Sequence, residues 1–411
     1  MTTDNLPKTA SSAISADAGR DVLTEPRPGR SAGNRLQSLT GLRFLAALLV
    51  FFYHSSLPRS SVRLIGDDSV WKVYYIAASQ AGALGVTFFF VLSGFVLTWS
   101  ARPGDTARSF WRRRYVKIVP NYVLTWALAM VLFAAAITPA WMAGLNLFML
   151  QSWLPNMQLS FSVDTPSWSL GVEAVFYALF PLLLPAVRRI RPERLAYWAL
   201  GTVLATAAVS AFAYAVIPAN GALGLPYLHD AASADQYWFA YVFPIPRILD
   251  FALGILVARM VMTGRWRDIG AGWTALLLVA AYGLALVVPY LYGQTVVCLI
   301  PIALLIAAFA LTDGRGRRTF FSTRAMVWLG EISFAFYLVH WIVLATVRKE
   351  LGTRLFSLPV SAALIVGEIG LAIGAAWLLY ATFERPIVRR WSSPRRRVPS
   401  DAPAGDGPAA G

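Results

Sequence analysis

The chain has 411 residues, of which 57% are hydrophobic and only 14% charged, and it carries a formal net charge of +15. Such a composition, with long apolar runs from residue 36 almost to residue 384, excludes an ordinary soluble domain and defines an integral membrane protein. The basic balance does not imply a nucleic-acid partner. Most of the 36 Lys and Arg residues fall in alternate connecting segments, the pattern of the positive-inside rule, where they face phospholipid headgroups.

Residues 1–35 are polar and rich in Ala, Ser, Pro and Gly, with no apolar signal-peptide core; the expectation is a disordered cytoplasmic tail. Apolar windows of about 20 residues then predict spans near 36–57, 78–99, 117–137, 168–187, 195–217, 240–261, 272–290, 295–312, 327–347 and 357–383. The fold class is therefore an all-α integral membrane bundle of about ten transmembrane helices over 36–390, with both termini cytoplasmic and a second disordered tail over 391–411. Cys298 is the only cysteine and lies in a predicted span, so neither a disulfide nor a cysteine metal site is indicated.

Ionisable side chains inside a span cost roughly 2.5–3.5 kcal/mol on insertion scales and call for a partner or a function. The first span carries Arg43 and His54 in RFLAALLVFFYH; on a helix their spacing corresponds to about 1100° of rotation and about 16 Å of rise, so both share one face. On spacing alone, a snorkelling Arg43 and an end-capping His54 are as good a reading as a general base. In FFFVLSGF of the second span, Ser93 and Gly94 interrupt a bulky run and favour close helix packing. Arg112, Arg113 and Arg114, in a loop before the third span, read as a topology anchor or as a phosphate site.

The external loop 138–167 contains Trp141 and Trp153, which suit either an interfacial belt or stacking on a sugar-like acceptor. It ends in PSWSLGVEAVFY, placing Glu173 inside the fourth span, where it needs a cationic partner or a catalytic role. Arg247 and Asp250, three apart in the sixth span, suit an ion pair. The ninth span holds Glu331, Ser333, Tyr337 and His340, with His340 read as a hydrogen-bonded packing residue. Arg385 and Pro386 read as a helix stop after Glu384, and His229 in an external loop has no supporting pattern.

In order, RFLAALLVFFYH, FFFVLSGF, RRRYVKIVPNY, SWSLGVEAVFY, RILDFALG, LGEISFAFYLVHW and TFERP resemble the acyltransferase 3 family of integral-membrane O-acyltransferases over roughly residues 36–390. Lys117 stands where members often have Arg, and Phe334 where a tyrosine is frequent. The resemblance implies transfer of an acyl group, commonly acetyl, from acyl-CoA to a hydroxyl-bearing acceptor, such as a glycan or a macrolide-like antibiotic. It implies a multi-pass protein of the bacterial cytoplasmic membrane in contact with membrane lipids, with no metal and no bound cofactor. By position it makes His54, Arg43 and Glu173 the expected catalytic residues, with His54 a general base or a transient acyl carrier. Ser93, Arg112, Arg113, Arg114, Trp168 and His340 are the expected substrate-binding residues. The rival reading is a transporter or flippase whose intramembrane charges mark a solute path.

Overall fold

A computed structural model of the chain describes residues 36–58, 62–102, 104–228 and 232–391. The expected tails over 1–35 and 392–411, and His229, lie outside the described residues. Within them every regular element is helical, and one parallel bridge joins Ile65 to Phe356.

The first four helices are α1 (Gln37–Ser55), α2 (Asp68–Ala78), α3 (Ala81–Ser100) and α4 (Ala107–Leu132). Two short helices, α5 (Ala140–Leu147) and α6 (Met157–Ser160), fold the following connection before α7 (Trp168–Arg188) and α8 (Leu195–Val216). The one-turn α9 (Ala234–Tyr237) then leads into α10 (Pro244–Met262), α11 (Ala271–Ala285), α12 (Tyr290–Thr295) and α13 (Leu299–Gly314). The chain closes with α14 (Arg324–Leu351), α15 (Leu358–Leu379) and α16 (Arg385–Trp391).

Nine helical segments among the described residues are long and apolar enough to cross a bilayer. They coincide with nine of the expected spans. The seventh, expected over 272–290, is the shorter apolar helix α11 of 15 residues. It stops before Pro289, which caps α12 and cannot extend the preceding helix. Exposed apolar side chains such as Leu200 and Leu204 on α8, Leu276 and Val279 on α11, and Val366 and Leu371 on α15 form the outward face that lipid requires.

Two boundaries differ from the sequence expectation. The third span begins ten residues early, because the Thr106 hydroxyl accepts from the Ser109 amide (3.2 Å) and starts α4 at Ala107. Arg112, Arg113 and Arg114 therefore lie on the first turns of a helix and not in a loop. The expected stop at Arg385 and Pro386 is also absent. A π-helical turn over Tyr380–Glu384 shifts the helical register just before Pro386, and the helix continues through α16 although Pro386 has no N–H to bond back.

Small residues set the tightest contacts, as expected where helices associate by packing. A Cβ on Gly94 of α3 would collide with the Phe251 carbonyl of α10, and a Cβ on Gly254 of α10 with the Val91 carbonyl of α3. The close approach expected at Gly94 is thus reciprocal. Gly330 of α14 likewise rests on the Thr40 carbonyl of α1. Where α1 begins, Ser38 Oγ donates to Asp313 Oδ1 (2.6 Å), tying α1 to α13. The connections rich in Arg, at 102–117, 188–194, 259–267 and 315–324, define a basic end of the bundle.

Candidate active site

Gly330 lets α14 lie against α1, and Gly82 and Gly85 of α3 admit Tyr53, Ala46 and Val50 of α1 from the other side. The α1 face that carries Arg43 and His54 is thereby enclosed between α3 and α14. His54 lines a cavity of about 450 Å³ at the end opposite the basic one, and Arg43 lines a much smaller cavity of about 50 Å³ deeper in the bundle. Val86 and Tyr337 contribute to both cavities and form the partition between them. The shared helix face read from the spacing is present.

His54 is buried and its Nδ1 lies 2.8 Å from Nε2 of His340 on α14. The imidazole planes are 22° apart, and Trp341 meets His54 edge-on. His340 is fully buried behind His54 and is not part of the cavity wall. The wall is aromatic: Tyr53, Trp168, Tyr237, Tyr241, Tyr290, Tyr337 and Trp341 line it, and no Asp, Glu, Lys or Arg does among the described residues. A π-helical turn over Trp238–Val242 follows α9, and Tyr237 and Tyr241 stack with ring centroids 4.9 Å apart. Such π turns recur at functional sites.

Trp168 packs at the head of α7, with its ring against Phe90, Phe161 and Tyr241. Trp141 and Trp153 are exposed and take no part in the cavity.

Glu173 lines the small cavity with Arg43, Phe89, Phe90, Ser169 and Phe334. Its carboxylate accepts from Tyr177, one turn further along α7, and lies within electrostatic reach of Arg43, Lys117 and Arg114. Lys117 in turn senses Glu384, which is placed by the π turn over Tyr380–Glu384 and accepts from Asn121 Nδ2 (3.0 Å). Glu173 thus has the cationic surroundings it needs. Lys117, Asn121, Tyr177 and Glu384 join a polar core that sequence reasoning centred on Arg43 and Glu173 alone. Ser93 Oγ lies 3.4 Å from the Tyr177 hydroxyl at the same depth.

A third cavity of about 420 Å³ opens at the basic end, lined by Arg102, Phe110, Arg113, Arg114 and Arg188. Arg113 pairs with Asp105 (2.9 Å), and the Arg114 guanidinium lies over the rings of Phe110 and Tyr177. Arg112 is exposed and outside this wall. Helical placement has therefore divided the arginine run.

Elsewhere Arg247 and Asp250 form the expected ion pair (2.8 Å), fully buried, with Arg247 also donating to Thr87 Oγ1 and lying over Phe90 and Tyr241. This pair braces the aromatic wall from behind. Among the described residues no group of three or more His, Cys, Asp or Glu side chains is arranged to hold a metal ion.

The described residues thus form a helical membrane bundle with a histidine-lined cavity at one end and an arginine-lined cavity at the other. The chain belongs to the acyltransferase 3 family, whose acyltransferase domain matches residues 36–381, and it is an acyltransferase. It is 38% identical over 383 residues to the acyltransferase MdmB of Streptomyces mycarofaciens, covering 90% of this chain and 95% of that protein. It is 27% identical to the exopolysaccharide production protein ExoZ of Rhizobium meliloti over 75% of this chain and 90% of that one. It is 22% identical to the peptidoglycan O-acetyltransferase OatA of Listeria monocytogenes, covering 77% of this chain and 51% of that protein. No solved structure matches the chain.

Proposed function

We propose that this acyltransferase moves an acyl group, acetyl in the simplest case, from acyl-CoA to a hydroxyl of an uncharged glycoside-like acceptor. His54 is the general base in this reading. With both termini cytoplasmic, the basic end faces the cell's coenzyme A pool. There Arg113 and Arg114 supply planar, bidentate donors for the donor's phosphates. The acyl arm then passes Arg43 and Glu173 towards His54, and the acceptor enters the opposite cavity.

The observation that carries the reading is the placement of Arg43 and His54 in two cavities that share Val86 and Tyr337 as lining residues. The aromatic wall of the outer cavity, free of formal charge among the described residues, supports a neutral acceptor whose sugar face stacks on Trp or Tyr, such as a glycan unit or a macrolide-like glycoside. The protein in proteoliposomes, given acetyl-CoA, is expected to release free CoA thiol when neutral glycosides are added, and not with anionic counterparts. His54→Ala should lower that rate by about 10²–10⁴-fold, the range of general-base contributions. Full activity in His54→Ala would remove His54 from the mechanism.

A further inference from the structure

We propose that His340 is a positioning residue that fixes the tautomer of His54, holding its proton on Nδ1 so that the Nε2 lone pair is the basic atom of the site. The inference rests on His54 acting as the base.

The assignment follows from what each atom can donate. Nδ1 of His340 lies 2.7 Å from the Tyr337 carbonyl and 3.3 Å from the Phe336 carbonyl. Carbonyl oxygens only accept, so that nitrogen carries a proton. In a neutral imidazole the other nitrogen, Nε2, is then an acceptor. The atom 2.8 Å from it is Nδ1 of His54, which must therefore be the donor. His54 Nε2 is left unprotonated, with no hydrogen-bond partner among the described residues, on a side chain that lines the cavity.

The helix itself thus supplies the orienting signal, relayed from a backbone carbonyl through one imidazole to the next. His340 is fully buried among the rings of Phe51, Phe336 and Tyr337, and a half-turn of its ring would set carbon atoms against the Tyr337 carbonyl and His54 Nδ1, losing both hydrogen bonds. A packing histidine would need only one partner; this one has a donor and an acceptor bond that together determine which nitrogen of His54 is basic.

The chemistry balances on that atom. The acceptor hydroxyl gives its proton to His54 Nε2 as its oxygen bonds to the acyl carbon. The carbon–sulfur bond of the thioester breaks and the electron pair leaves on sulfur. The imidazolium returns the proton to the thiolate, and CoA departs as the thiol, with both histidines restored.

The chain contains three histidines, so histidine-selective ¹⁵N NMR on the full protein in proteoliposomes reads the tautomers directly. His54→Ala and His340→Leu assign the signals by subtraction. In the wild type, His54 and His340 should each show a protonated Nδ1 and a bare Nε2. In His340→Leu the His54 signals should move towards an Nε2-protonated population. The rate of acetyl-CoA-dependent thiol release should fall about 10–100-fold, the usual cost of losing an orienting partner, with KM for acetyl-CoA unchanged within about twofold. His340→Gln, whose amide oxygen can accept from His54 Nδ1, should recover most of the rate.

A proton on Nε2 of His54 in the wild type, or unaltered His54 signals in His340→Leu, would overturn the proposal; so would equal rates for the Leu and Gln variants. An active His54→Ala alongside the expected tautomers would instead sink the base reading and leave the relay standing.

Discussion

The hydroxyls of Tyr337 and Ser169 lie 2.8 Å apart, and both reach the Pro166 carbonyl that precedes α7. This contact pins α14 to the head of α7 and holds the Tyr337 ring between the His54 and Arg43 cavities. On the proposed path the ring stands where the acyl arm meets the acceptor cavity. Tyr337→Ala should join the two cavities, admit water to the thioester and raise acceptor-independent release of CoA thiol severalfold. Tyr337→Phe keeps the ring and should stay close to wild type in the same assay. If the Ala variant shows no added hydrolysis, the ring is not a barrier.

Arg113 and Arg114 line the cavity at the basic end, while Arg112 is exposed outside it. Arg114→Ala should raise KM for acetyl-CoA by about 10-fold or more, as expected for loss of a charge-assisted contact worth roughly 1.5–3 kcal/mol. Arg112→Ala should change it less than about twofold, in line with the small worth of exposed charges. Because the entrance is open to solvent, the wild-type KM should also rise with ionic strength. Equal effects of the two substitutions would argue that the run acts only as a topology anchor.

Gly254 and Gly94 meet across the α3–α10 contact, where any Cβ would enter the partner's backbone. Gly254→Ala should destabilise the detergent-solubilised protein by about 1–3 kcal/mol, the usual cost of overpacking. Gly201 on α8 faces open space, and Gly201→Ala should be neutral or stabilising by roughly 0.5–1 kcal/mol. Thermal unfolding followed by intrinsic fluorescence compares the two. A neutral Gly254→Ala would mean that the helices can separate without cost.

The spans were legible because each is a long apolar window, and the shared face of Arg43 and His54 because helical periodicity fixes it. The seventh span was overestimated at α11: hydropathy runs smoothly from its end towards Pro289 and cannot show where the backbone turns. Arg112–Arg114 were assigned to a loop because the apolar window that marks the third span begins only at 117, whereas the cap at Thr106 starts the helix at Ala107. The pairing of His54 with His340 joins residues 286 apart in sequence, and no local pattern encodes it. Counting depth from the expected span starts at 36 and 327 does not bring the two histidines level either, giving about 27 Å and about 20 Å at 1.5 Å per residue. Lys117 and Glu384 were harder to find, because Glu384 is delivered by a π turn that ordinary helical counting misplaces.

Asp164, just before α7, is 2% exposed, and neither carboxylate oxygen has a hydrogen-bond partner among the described residues. Burial raises its pKa well above the ordinary carboxylate range, so the folded protein favours the protonated side chain. A carboxyl whose folded pKa is raised leaves stability intact at low pH and removes it as pH climbs towards that raised value. Asp164→Asn takes away this dependence while keeping the size of the side chain. The wild type should therefore lose thermal stability relative to Asp164→Asn over the interval that begins above about pH 4, the ordinary carboxylate value, with the two converging below it. Parallel melting temperatures across that interval would show that Asp164 remains ionised in the fold, held by a partner such as a bound water or cation.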